Sequence, residues 1–174
     1  MGIKISGNRG NILDVKSKYI LQEIFSNLQE NKLLDIIKYN KKIQEKLQKD
    51  IKDYKTYGEI IIEIIPINNR DKNYFINYAE EHKYYHIYFN DENEEKKRNY
   101  FTKNENISKI KIIIDSQVKS FWNLFDYCDC IEKINFINFR RKNINDMESM
   151  FSRCHSLIEL NLNNFHTNNV TSMA

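Results

Sequence analysis

Phe125-Asp-Tyr-Cys-Asp-Cys-Ile-Glu-Lys-Ile-Asn-Phe-Ile-Asn-Phe139 and Phe151-Ser-Arg-Cys-His-Ser-Leu-Ile-Glu-Leu-Asn-Leu-Asn-Asn-Phe165 are one pattern written twice, 26 positions apart. Phe125 returns as Phe151, Cys128 as Cys154, Ile131 as Leu157, Ile134 as Leu160, Phe136 as Leu162 and Phe139 as Phe165. The offset continues through Ile144 to Val170 and Met147 to Met173, without a gap. A fainter copy precedes it: Ile110, Ile113, Val118 and Phe121 stand one period before Phe136, Phe139, Ile144 and Met147. Chance aligns two or three such anchors, so this is an internal repeat. One unit of this length cannot cover its own apolar face, and neighbouring units are expected to stack.

The period falls inside the range of about 20–29 residues of leucine-rich repeats. Leu157-x-x-Leu160-x-Leu162 is the strand-forming half of that pattern. Alternation sends Leu160 and Leu162 inward and leaves Glu159, Asn161 and Asn163 outward, with Lys133, Asn135 and Ile137 outward in the copy before. Ile144, Met147, Met150 and Phe151 recur at three- and four-residue steps, which predicts one face of a short helix. The expected fold is therefore α/β: N-terminal helices, a few β-strands, then a leucine-rich-repeat-type solenoid of short helices and parallel strands. Phe139 and Phe165 would stack as its spine, where the usual leucine-rich repeat has asparagine. The polar cap expected of a terminal repeat does not follow Met173-Ala174. The array over 107–174, two full repeats and a degenerate first one, thus reads as part of a longer one.

Upstream, the period changes. Glu59 to Ile65 is nearly continuous isoleucine, stopped by Pro66 and the turn-prone Asn68-Asn69-Arg70-Asp71. Tyr84 to Phe89 and Lys109 to Asp115 are two further β-favouring runs, and the nearly balanced charges of 94–98 lie between them. Residues 58–106 thus form a strand-rich middle segment. Residues 1–57 are a helical one: Ile20, Leu21, Ile24, Phe25 and Leu28 share one face, and Leu33, Leu34, Ile36, Ile37, Ile43 and Leu47 continue the pattern.

Composition narrows the function. With 27 basic against 24 acidic residues in 174, interspersed, the chain has no concentrated basic stripe, and no nucleic-acid partner is expected. No apolar run reaches the ~20 residues of a transmembrane helix, and the first residues lack the apolar core of a secretory signal. Cys128, Cys130 and Cys154 form no disulfide framework, so a reducing, cytoplasmic setting is expected. The sequons at Asn106 and Asn169 would matter only outside it. Gly2 with Ser6 fits the loose N-myristoylation pattern. Catalysis has no motif: no glycine-rich phosphate loop, no Gly-x-Ser-x-Gly, no His-Glu-x-x-His. His82, His86, His155 and His166 are scattered, while Asp126, Asp129 and Asp146 fall where caps are ordinary. Cys128 and Cys154 read as small buried spacers rather than zinc ligands, and no cofactor is expected. What remains is a non-catalytic protein–protein interaction scaffold whose outward residues Lys133, Asn135, Glu159, Asn161 and Asn163 contact a partner protein.

The stretch from Met147 to Met173 resembles the 26-residue repeat of BspA-like leucine-rich-repeat proteins. It carries their sequence of methionine and phenylalanine, cysteine, serine-leucine, leucine-x-leucine, asparagine-phenylalanine, threonine, asparagine-valine and methionine. The preceding unit keeps the anchors but has Arg141-Lys142-Asn143-Ile144 in place of the Thr-x-Asn-Val return. The resemblance implies binding without catalysis, since such arrays serve adhesion, surface display and intracellular binding. The stretch Tyr19 to Leu28, followed by Leu33-Leu34 and Ile36-Ile37, resembles an F-box, although the family's opening Leu-Pro and its later cysteine and tryptophan are absent. This implies an alternative: a substrate-binding adaptor that docks on a cullin-type ubiquitin ligase through Leu21, Phe25 and Leu28. A cell-surface adhesion protein is the third reading and would require a secretion signal.

Overall fold

Ile60-Ile-Ile-Glu-Ile-Ile-Pro66 is the central strand of the larger of two units. In the computed structural model the described residues are 16–26, 33, 36–37, 39–50, 58–78, 82–115, 117–139, 144–163 and 170–173. Their contacts divide the chain into a unit of residues 1–54 and a unit of residues 55–174.

The first unit contains helix α1 (Lys18–Ser26) and helix α2 (Lys41–Leu47). Ser17 starts α1, its Oγ accepting the Ile20 N–H at 3.4 Å. Leu21 and Phe25, one turn apart, are buried with Ile37 and Ile43. Asn40 caps α2, its Oδ1 accepting the Ile43 N–H at 3.1 Å. Gln48 ends that helix in the left-handed region at φ 59°, with its N–H donated to Glu45 O and that of Lys49 to Gln44 O.

In the second unit the strands are β1 (Ile60–Pro66), β2 (Lys72–Tyr74), β3 (Tyr85–Phe89), β4 (Tyr100–Thr102), β5 (Ile110–Ile114), β6 (Ile131–Asn138) and β7 (Glu159–Asn161). The three isoleucine- or aromatic-rich runs of the middle sequence are β1, β3 and β5. Five strands form one sheet in the order β3-β5-β1-β6-β7, and β2 pairs with β4 in a second. Every pairing is antiparallel except β6 with β7. Strict alternation buries Ile60, Ile62 and Ile64 of β1, Tyr85, Ile87 and Phe89 of β3, and Ile110, Ile112 and Ile114 of β5 on a single face. Pro66, which has no N–H to give a ladder, closes β1 at a register shift. Over the buried face pack Phe75, Phe101, Phe121, Leu124, Phe125, Phe139 and Met147. Phe75 meets Phe89 edge-on at 5.7 Å and stacks on Phe101 at 6.4 Å, and Phe121 meets Phe139 tilted at 6.0 Å.

The expected solenoid of short helices and parallel strands does not form. The sheet is mixed, because one edge of β6 is taken by β1 running antiparallel, and only the other edge meets β7 in parallel. Between Ile60 and Met173 the described residues hold no α-helix, only a 3-10 turn at His82–Tyr84. The segment predicted to be helical is a chain of tight turns. Met150, Ser152 and Cys154 each donate their N–H three residues back, and Ser149 and Arg153 take positive φ of 52° and 55°. A right-handed helix tolerates neither. The unit before repeats the device, with Asn123 at φ 54° and Tyr127 at 57°. There the intervening N–H groups of Phe121, Asn123, Phe125 and Tyr127 reach Asp146, Glu148, Met150 and Ser152 carbonyls of the following unit. Donors that a helix would use internally are spent between units.

The 26-residue offset persists as contact register. Lys133, Ile134 and Asn135 lie beside Glu159, Leu160 and Asn161, and Phe125 stacks on Phe151 at 5.7 Å. Leu160 and Leu162, expected to be buried, are 37% and 39% exposed. β7 is an edge strand, and no described strand lies beyond it to cover them. Phe165, the expected second ring of the spine, lies outside the described residues, as do Gly2, His166 and Asn169.

Candidate functional site

The other face of the five-stranded sheet is lined by side chains that are partly or fully open to solvent. Pairing register places them in rows across the strands. One row runs Tyr88, Lys111, Glu63, Asn135, Asn161, one residue from each of the five strands in spatial order. A second runs Ile65, Lys133, Glu159, and a third runs His86, Ile113, Ile61 toward Asn138. Register shifts in the β1–β6 pair let Ile137 bulge between paired positions, where its side chain stands exposed. The face therefore mixes aliphatic side chains (Ile61, Ile65, Ile113, Ile137) with charged and amide ones. Its β3–β5 end carries a depression of about 320 Å³ lined by Tyr88, Asp91, Glu92, Asn93, Lys111 and Ile113.

Charges on this face are largely paired. Lys133 Nζ lies 2.8 Å from Glu159 Oε2, and that hydrogen bond holds the ammonium above its ordinary range. Lys109 Nζ lies 2.5 Å from Asp91 and 3.8 Å from Glu63, and its pKa is raised chiefly by the Asp91 bond. His86 stands between Glu95, 3.0 Å from Nδ1, and Asp115, 3.8 Å from Nε2. Exposed pairs of this kind add little stability. Their effect is to leave the face nearly neutral, so a partner meets donors and acceptors rather than a strong field.

Four of the five residues expected to contact a partner, Lys133, Asn135, Glu159 and Asn161, lie together on this face, in two adjacent rows of β6 and β7. Asn163 follows β7 and is exposed, its N–H donated to Asn161 Oδ1 at 3.0 Å. Sequence reasoning missed the other three strands of the surface. Glu63 and Lys111, each a charge interrupting an isoleucine run, were the signal, because a charged residue inside an apolar strand marks the side that faces solvent.

Leu21 and Phe25, the expected adaptor-docking residues, are buried in the core of their own unit, and Leu28 lies outside the described residues. The large apolar side chains that α1 leaves in solvent, among the described residues, are Tyr19 and Ile20, 80% and 52% exposed. The thiols are inward: Cys128 donates toward Asp126 O, Cys130 to Tyr74 O at 3.0 Å and Cys154 to Phe125 O at 2.9 Å. Burial pushes all three pKa values up, Cys130 to about 12 and Cys154 to about 11. Among the described residues no group of three His, Cys, Asp or Glu side chains is arranged to hold a metal ion. No described helix is long and apolar enough to cross a membrane. No protein-family model, curated protein or solved structure matches the chain.

Proposed function

We propose that this chain is a non-catalytic protein-binding scaffold and that the outer face of the five-stranded sheet is its contact surface. The observation that carries the reading is the row Tyr88–Lys111–Glu63–Asn135–Asn161, which crosses all five strands. A rigid sheet, buried on one side, holds these groups at the fixed strand spacing of about 4.8 Å. Aliphatic side chains beside them supply area to bury, and the paired charges can re-pair with a partner, the composition of an ordinary transient interface.

The test is capture by the intact chain. Asn135→Arg with Asn161→Arg places two bulky charges at the β6–β7 end of the row without touching the buried face. Partner capture from native lysate should be lost while the circular dichroism spectrum and melting temperature stay unchanged. Undiminished capture removes this face from the reading.

The adaptor reading draws support from the exposed Tyr19 and Ile20 on α1. It is tested with Ile20→Asp, because Phe25→Asp would unfold the unit that Phe25 helps to fill. Loss of co-purifying ligase components in Ile20→Asp supports the adaptor; their absence from the wild type ends it.

A further inference from the structure

A second concavity lies away from the outer face of the sheet. Asn77, Tyr78, Asn99, Trp122, Asn123 and Asp126 line an open cleft of about 440 Å³, within the range of roughly 300–1,000 Å³ that holds small ligands. We propose that this cleft binds one ring of a neutral saccharide, stacked on Trp122 and hydrogen-bonded through the side-chain oxygens of Asn77 and Asn99.

Three observations carry it. Trp122 is 59% exposed although it lies among the core-forming residues Phe121, Leu124 and Phe125. An indole left in water at the rim of a cleft offers an apolar face and one N–H donor. The amides beside it are already oriented. Asn77 gives Nδ2 to Asp126 O at 2.6 Å and to Asn123 O at 3.3 Å, and Asn99 gives its own to Ile76 O at 3.1 Å. With both nitrogens committed to main-chain carbonyls, each Oδ1 is set as an acceptor before any ligand arrives, which lowers the cost of binding. The one carboxylate of the cleft is neutralised, since Arg153 reaches both oxygens of Asp126 at 3.0 and 3.1 Å.

The chemistry that fits is a ligand without charge, rich in hydroxyl donors, with one apolar face of C–H groups. A pyranose has all three. A proline-rich peptide would also stack on an indole, but proline has no N–H, so the two fixed acceptors would go unpaired. A phosphate or carboxylate ligand would find no free cation in the cleft lining.

Trp122 is the chain's single tryptophan, so its fluorescence reports on this cleft alone. The intact chain would be titrated with the methyl glycosides of glucose, galactose and mannose, with N-acetylglucosamine and with cellobiose. Adenosine and a proline-rich decapeptide would be titrated in parallel. A saturable blue shift is expected with at least one saccharide, half-complete near about 1 mM. By calorimetry Trp122→Ala, an exposed position, should lose that binding with an unchanged circular dichroism spectrum. Asn99→Leu should weaken it about tenfold. Saccharide binding that survives in Trp122→Ala, a shift with adenosine or the peptide only, or no shift with any saccharide would each overturn the proposal.

Discussion

Arg153 closes on Asp126 of the preceding unit with two hydrogen bonds, Nε to Oδ1 at 3.1 Å and Nη2 to Oδ2 at 3.0 Å, while its guanidinium lies 3.7 Å from the centre of the Tyr127 ring. One side chain thus ties two stacked units by a fork and a cation–π contact. Asp126 is nearly buried, and Arg153 is half exposed. Arg153→Ala should therefore cost about 1–2 kcal/mol in urea unfolding, below the value of a wholly buried pair. Arg153→Lys keeps the charge but not the fork and should recover less than half of the loss. Full stability in Arg153→Ala would show that the contact carries no coupling between units.

Ser149 sits at φ 52° in the turn chain, in a region that short polar residues tolerate and β-branched ones do not. Ser149→Val should destabilise the protein by about 1–2 kcal/mol, and Ser149→Asn should be neutral within about 0.5 kcal/mol. Equal melting temperatures for the two variants would contradict the left-handed geometry.

The cysteines should be slow to react. Burial holds Cys128, Cys130 and Cys154 protonated at neutral pH, and the thiolate is the nucleophile. Timed iodoacetamide labelling of the native chain at pH 8, read by mass spectrometry, should modify Cys154 first, the one thiol that is not buried. The other two should label only on unfolding. Rapid native labelling of Cys128 would place it at the surface instead.

Glu105 predicts an acid dependence. Arg98 beside it, with the Thr102 N–H and hydroxyl, brings its carboxyl down to about 2 from 4.5. A group depressed in the folded state stabilises it fully above the unfolded value, and the contribution fades as pH falls from about 4.5 to about 2. Glu105→Gln should lower the denaturation midpoint at pH 7, and the gap to wild type should narrow steadily across that window. A constant gap would mean that the carboxylate charge is not what stabilises this loop.

The β6–β7 part of the candidate surface was legible beforehand. Lys133, Asn135, Glu159 and Asn161 alternate with apolar partners, and alternation is a local property of a strand. The strand runs at Ile60–Pro66, Tyr85–Phe89 and Ile110–Ile114 were legible for the same reason. So was the unit offset, which reappears as the pairing of Lys133 with Glu159 and the stacking of Phe125 on Phe151.

The helix reading failed at Met147, Met150 and Phe151 because three- and four-residue spacing is shared by a helix and by a chain of tight turns. Side-chain spacing does not record where a backbone N–H points. Phe121, Asn123, Phe125 and Tyr127 send theirs to carbonyls of the following unit, and that choice exists only once the two units are side by side.

Sheet order was hidden in the same way. Ile60–Pro66 could have paired with any exposed edge, and its place between β5 and β6 depends on contacts between residues far apart in the chain, such as Ile60 with Ile114 and Ile61 with Asn138. Residue type and period were enough to name five of the seven strands, the outward positions of β6 and β7, and the repeating unit. The assembly of those strands into a mixed sheet, the five-strand row at Glu63 and Lys111, and the cleft at Trp122 were settled by non-local hydrogen bonds and packing, which leave no periodicity in the chain that makes them.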